Sequence, residues 1–160
     1  RMLAMSGLPN ELAGVLLESP VGDMGWTWAH DQGRLALEEN LPYVETAFQE
    51  SVPENPADAE RVIRGFAQDG YDIIVTTSFG YMNPTANVAR EFPDTTFVHI
   101  SGYMTGDNLS TAFGKIEEPR FVSGQIAGQM TESNQIGYIG RMECDGQPVL
   151  SEAFVRVKLA

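Results

Sequence analysis

Cysteine is almost missing from this 160-residue chain, and the single Cys144 excludes both an internal disulfide and a multi-cysteine zinc site. Positive charge is scarce: 10 Lys and Arg stand against 22 Asp and Glu, a net charge of −12. A field of that sign repels nucleic acid and anionic membrane surfaces, so no nucleic-acid partner is expected. His30 and His99 are the only histidines, and neither has companions at metal-ligand spacing; no metal and no cofactor is expected. No run approaches the roughly 20 apolar residues that span a bilayer. Catalytic signatures are missing too. There is no GxxxxGK phosphate loop, no GxGxxG after the first strand and no GxSxG elbow, and the corner Thr77-Ser78-Phe79-Gly80 lacks the leading glycine of a nucleophilic serine turn.

What is present is an ordinary globular composition, 42% apolar and 20% charged, in a length that buries a core without a covalent staple. Ala13 to Leu17 is a continuous apolar run closed by Glu18-Ser19-Pro20, the pattern of a buried parallel strand. From Gly25 to Glu39, Trp26, Ala29, Gly33, Ala36 and Leu37 recur at helical spacing and predict an apolar helix face. Tyr43 to Phe48 predicts a second strand. Asn55-Pro56-Ala57-Asp58 opens a helix with a capping Asn, a first-turn Pro and an acid near the positive end, running to about Gln68. Asp72 to Thr77 is the clearest strand of all. Asn83-Pro84 repeats the helix-opening chemistry, with Ala86, Ala89 and Phe92 as its inner stripe. Thr95 to Ile100 and Leu109 to Phe113 are further strands, Pro119 to Met130 a helix, and Gln135 to Ile139 a last strand.

Strands alternating with helices predict an α/β fold with a doubly wound parallel sheet. Such a sheet gathers its ligands at the carboxyl ends of its strands. The loops there are 19–26, 78–83 and 101–108, and they hold Asp23, Trp26, Phe79, Tyr81 and Tyr103, with Trp28 just beyond. Flat side chains and one acid on a common edge suit a planar, hydrogen-bonding ligand.

Several stretches, taken in order, resemble one family: Gly22-Asp23-Met24-Gly25-Trp26 with Ala29-His30, Asp58 to Ile63, Gly70 to Ile74, Thr77 to Met82, Glu91-Phe92-Pro93, Gly102-Tyr103, Asp107-Asn108 and Ile136-Gly137-Tyr138. The chain is similar to the basic membrane protein family of ABC-transporter substrate-binding lipoproteins, whose best-known members are purine nucleoside receptors. The resemblance implies a type I periplasmic-binding-protein lobe with the start of a second lobe. On that basis residues 1–12 are an N-terminal extension, 13–116 the first α/β lobe, 117–141 the hinge crossing and first elements of the second lobe, and 142–160 a tail outside the resemblance. It also implies a non-enzymatic solute receptor, periplasmic or cell-surface, lipid-anchored in its full-length precursor and partnered by an ABC permease.

Carried over by position, Asp23 matches the acid that binds polar ligand edges, Trp26 an aromatic near the base-stacking wall, and Phe79 with Gly80 the loop after the third strand. Nucleoside-binding relatives often carry an acid after the fourth strand for ribose hydroxyls. Here Ser101-Gly102-Tyr103 stands there, which within the purine and nucleoside class favours a smaller ligand without ribose, such as adenine or another free purine base, over a nucleoside.

Ordinary structural roles compete with each of these. Asp23 could cap the first helix, and Trp26 could be core. Trp28 lies roughly 200° around the helix from it, at about 100° per residue. Phe79 and Tyr81 could merely anchor a loop. A small hydrolase using Ser78 with His99 as base and Asp23 as orienter is the catalytic alternative, although His99 lies inside a strand. A regulatory ligand-sensing module of the same fold is the other.

Overall fold

The computed structural model describes residues 11–22 and 24–137. Five strands form its sheet: β1 (Glu11–Leu16), β2 (Val44–Gln49), β3 (Ile73–Thr76), β4 (Thr96–Ile100) and β5 (Leu109–Ala112). Their order is β2-β1-β3-β4-β5, and every pairing is parallel. Between them run α1 (Trp26–Asn40), α2 (Pro56–Gln68) and α3 (Met82–Glu91), followed by α4 (Glu117–Met130). This is the expected α/β fold with a doubly wound parallel sheet. The chain divides after Phe113, and the sheet with its first three helices forms one unit.

Register decides which side chains meet. Val15 of β1 lies beside Phe48 of β2 and Val75 of β3, and Ile74 pairs with Phe97 of β4. On one face Leu16, Ile74, Phe97 and Leu109 pack with Ala59, Ile63 and Ala67 of α2 and with Ala86, Val88 and Ala89 of α3. Gly14 is required there, because a Cβ on it would stand 2.9 Å from the Phe66 ring of α2. On the other face Ala13, Val15, Ile73 and Val75 join Gly33, Arg34 and Leu37 of α1 around a mostly apolar cavity of about 320 Å³.

The helix signals held unevenly. Asn55 caps α2 as predicted, its side chain accepting from Asp58 N at 3.0 Å and donating to Asp58 Oδ2 at 2.7 Å. Asn83 does not cap α3. The chain enters that helix through a 3-10 turn, Phe79–Tyr81, so α3 begins at Met82 and Pro84 falls inside its first turn, where a missing N–H costs nothing. The stripe predicted for α1 is also corrected. Ala29, Gly33 and Ala36 are exposed, while Thr27 and Asp31 are buried. Beside Gly33 and Leu37, which line the cavity, polar groups of α1 also face inward: Arg34 Nε donates to Asp31 at 2.7 Å, a terminal nitrogen donates to Thr46 of β2 at 2.8 Å, and the guanidinium lies 4.7 Å over the Phe48 ring.

In the second unit α4 carries Glu117 and Glu118 in its first turn, favourable against the helix dipole. Residues 135–137 are not strand. Tyr138 and Ile139, the remainder of the expected last strand, and the tail 142–160 lie outside the described residues, as does most of the N-terminal extension.

Gly14→Val forces a branched side chain onto the Phe66 ring. It is expected to cost about 2 kcal/mol through overpacking, read as a lower urea midpoint at unchanged slope.

Candidate functional site

Parallel strands put all their carboxyl ends on one edge, so the segments 17–22, 50–55, 77–81 and 101–108 emerge together. The first three are tied to one another through backbone and carboxylates. Thr77 donates its N–H and its hydroxyl to Leu16 O, at 3.2 and 2.9 Å, and Val52 N donates to Leu17 O at 3.1 Å. Glu50 accepts from Val21 N at 2.7 Å. Ser78, only 2% exposed, contacts two carboxylates: its hydroxyl lies 2.6 Å from Glu18 Oε2 and also meets Glu54 Oε1. One hydroxyl proton serves one acceptor at a time, so Ser78 donates to Glu18 and Glu54 in alternation. The buried Tyr81 phenol donates to Val52 O at 2.5 Å, and burial together with the Glu18 and Glu54 charges pushes its pKa up.

The residues singled out from sequence distribute as follows. Asp23 lies outside the described residues. Trp26 is half-buried at the start of α1, donates Nε1–H to Thr77 O at 2.8 Å, and has its ring 4.5 Å from His30 and 6.3 Å from Phe113. That hydrogen bond fixes it at the end of β3 and makes it a packing residue as well as an edge residue. Trp28 is 38% exposed on α1. Phe79 is half-buried and faces Tyr103, ring centres 6.4 Å apart and tilted by 48°. Tyr103 itself is 62% exposed. Gly80 does not offer a free backbone donor, since its N–H reaches Glu54 Oε1 at 3.2 Å and the Glu54 side chain fills the space of a Cβ. Ser101 sits in the left-handed region at φ 75° and donates its N–H to Ala112 O at 3.0 Å.

Two aromatic pairs thus form, Trp26 with Phe113 and Phe79 with Tyr103. Sequence reading missed Glu18, Glu50 and Glu54. Glu18 closes the first apolar run in the sequence, and the parallel-sheet rule brings the loop after β2, with Glu50 and Glu54, to the same edge. The hydrolase constellation is not assembled. Ser78 is engaged with Glu18 and Glu54, whereas His99 Nδ1 lies 2.9 Å from Thr76 Oγ1. Among the described residues no group of three or more His, Cys, Asp or Glu is placed to hold a metal ion.

Residues 10–153 match the family described as ABC transporter substrate-binding protein PnrA-like. The match extends past residue 141, where the sequence reading had ended the resemblance. A purine-binding protein of Brucella abortus is 49% identical over 128 residues, 79% of this chain and 36% of the relative. A protein of Haloferax volcanii described as an ABC transporter glucose-binding protein is 46% identical over 121 residues, 76% of this chain and 30% of its own. The chain therefore spans about a third of the length of these relatives. Among solved structures, a transcriptional activator of the comK gene from Bacillus halodurans superposes with a TM-score of 0.66 at 26% identity, covering 92% of this chain and 49% of that one. An ABC transporter solute-binding protein from Aeropyrum pernix gives 0.64 at 25%, covering 74% and 32%.

Burial pushes the His99 pKa down to about 4, outweighing its hydrogen bond with Thr76. The unfolded imidazole, near 6.5, binds a proton that the folded one refuses between those values, so stability is full above about pH 6.5 and falls as pH drops toward 4. Between pH 7 and pH 5 the loss is expected to be about 2 kcal/mol. Denaturant titrations at the two pH values check it, and His99→Asn should flatten the slope.

Proposed function

The chain belongs to the PnrA-like family of ABC transporter substrate-binding proteins, and from that premise we propose that it supplies the ligand-gripping first lobe of a solute receptor for a purine base or nucleoside. The observation that carries this reading is the carboxyl edge itself, where the loops after β1 and β2 hold the carboxylates of Glu18 and Glu54 and the loops after β3 and β4 bring Phe79 opposite Tyr103. A purine offers a flat face to stack and an N–H edge to donate. Aromatic faces supply the first interaction, and Glu18, Glu54 and, by its place in the first loop, Asp23 accept the second. The 49% identity to a purine-binding protein points the same way.

The acid on this edge also sets what is refused. A phosphate ester would bring negative charge toward Glu18, Glu50 and Glu54, so a free base or nucleoside fits and a nucleotide does not. Closure by a second lobe, of which residues from Gly114 onward are the beginning, would remove the ligand from water. The loaded receptor would then deliver it to an ABC permease from the periplasm or cell surface, held there by a lipid anchor on the precursor. One observation favours a second reading: the likeness to a transcriptional activator at a TM-score of 0.66 fits a sensing module that uses the same lobe without a permease. Loss of purine uptake on gene deletion, with transcription unchanged, selects the receptor.

Calorimetry on the full-length protein with adenine, adenosine, adenosine monophosphate and glucose tests the ligand. Binding of the base or nucleoside is expected, with the monophosphate at least about tenfold weaker. Tyr103→Ala should weaken purine binding by roughly tenfold, about 1.4 kcal/mol, while the melting temperature stays within a degree or two because the ring is exposed. Saturable glucose binding with no purine response would replace the proposed ligand by a sugar.

A further inference from the structure

His99 takes no part in the ligand contacts just described, yet its surroundings are built. It occupies the penultimate position of β4, is 1% exposed, and meets a chain of hydroxyls: Nδ1 is 2.9 Å from Thr76 Oγ1, Thr76 Oγ1 is 2.9 Å from Thr85 Oγ1, and Thr85 donates to Tyr81 O at 2.7 Å. Each hydroxyl owns one proton. That of Thr85 is spent on a carbonyl, which only accepts, so Thr76 must donate to Thr85. The remaining bond is then made by an Nδ1–H of His99 donating to Thr76. The tautomer is fixed by this count, and Nε2 is left as a bare acceptor.

That nitrogen is fully buried and has no hydrogen-bond partner in the structure. What stands against it is the backbone of Gly102. A Cβ on Gly102 would lie 2.0 Å from His99 Cδ2 and 2.6 Å from Nε2, so only glycine seats on the ring edge. The residue before it, Ser101, is held at φ 75°, a conformation that a serine adopts only when its neighbours impose it. The far end of the loop is pinned independently. Asn108 Nδ2 reaches Ala89 O, Phe92 O and Thr95 O at 3.0, 2.9 and 2.8 Å, and Gly106 and Leu109 exchange backbone hydrogen bonds. Between these anchors Tyr103 is delivered opposite Phe79.

We propose that His99 is a positioning residue for the ligand loop: the hydroxyl relay locks its ring, and the ring edge is the stop on which Gly102 seats to place Tyr103. The consequence for affinity rests on the solute-receptor reading above, whereas the consequence for the loop does not.

Hydrogen exchange of amides 101–108 and adenine titration on the full-length protein decide between this role and plain core packing. Gly102→Ala drives a methyl into the ring and should speed exchange across the loop and weaken adenine, each at least about tenfold. His99→Asn keeps an amide donor for Thr76 but removes the ring edge, so in that background Gly102→Ala should cost less than about threefold in either readout. Equal cost in both backgrounds, or no effect of Gly102→Ala in the parent, overturns the proposal. Imidazole nitrogen spectra need no variant at position 102: a protonated Nδ1 and bare Nε2 are expected, with mixed tautomers in Thr76→Val, and a protonated Nε2 in the parent refutes the relay. Coupled exchange in a protein that binds no purine would retire the ligand reading and leave the positioning role standing.

Discussion

Parallel pairing is the constraint from which the rest of the molecule follows. When five strands run the same way, each connection must return to the starting edge, and the segments leaving the carboxyl ends are forced into one neighbourhood. Glu18, Val52, Ser78 and Ser101 come from four different strands and are separated by up to 83 positions, yet the hydrogen bonds at the edge link neighbouring segments directly. An antiparallel sheet of the same composition would divide these loops between two ends. The site is a property of topology before it is a property of any side chain.

The same edge is polar further inward than a packing argument expects. Toward the amino ends of β3 and β4 the α2–α3 face is filled by Ile74 and Phe97; toward their carboxyl ends it is Thr76 and His99, with Thr85 of α3 bonded to Thr76. Buried polar groups are costly unless paired, and here each hydroxyl is paired in a directional series. Such a series specifies orientation in a way that interchangeable methyl contacts do not. Apolar packing fixes the sheet against α2 and α3, and the hydroxyl relay fixes the loop above them.

How much of this is legible in the sequence depends on whether the signal is local. The cap of Asn55 on Asp58 and the apolar runs of β1 and β3 are local, and they appear where the residues put them. The inner face of α1 is not legible from periodicity, because Arg34 is recruited inward by Thr46 and Phe48, partners on another element. The 3-10 entry to α3 was missed for a related reason: Tyr81, tied to Val52 O, holds the turn from outside the helix. In the candidate site the aromatics Trp26, Phe79 and Tyr103 were readable from loop position alone. Glu18 and Glu54 were not, since a surface glutamate carries no mark of the serine that it will meet from 60 or 24 positions away.

A single edge is also an incomplete container. Small-molecule sites enclose most of the ligand surface, typically 70–90% or more, and a planar molecule lying on one rim keeps its other face in water. Stacking and carboxylate bonds made at such a rim compete with solvent at full dielectric strength, and the same contacts gain once water is excluded. The chain spans 36% of the length of its purine-binding relative, and the remainder of that relative is long enough for an opposing wall. The proposed division of labour follows from this. The first lobe selects, by acceptors and aromatic faces held on a rigid sheet edge, and a partner surface converts a weak, selective encounter into retention. Under that proposal rigidity matters most where a loop carries an aromatic face, and the segment bracketed by His99 and Asn108 carries Tyr103 opposite Phe79.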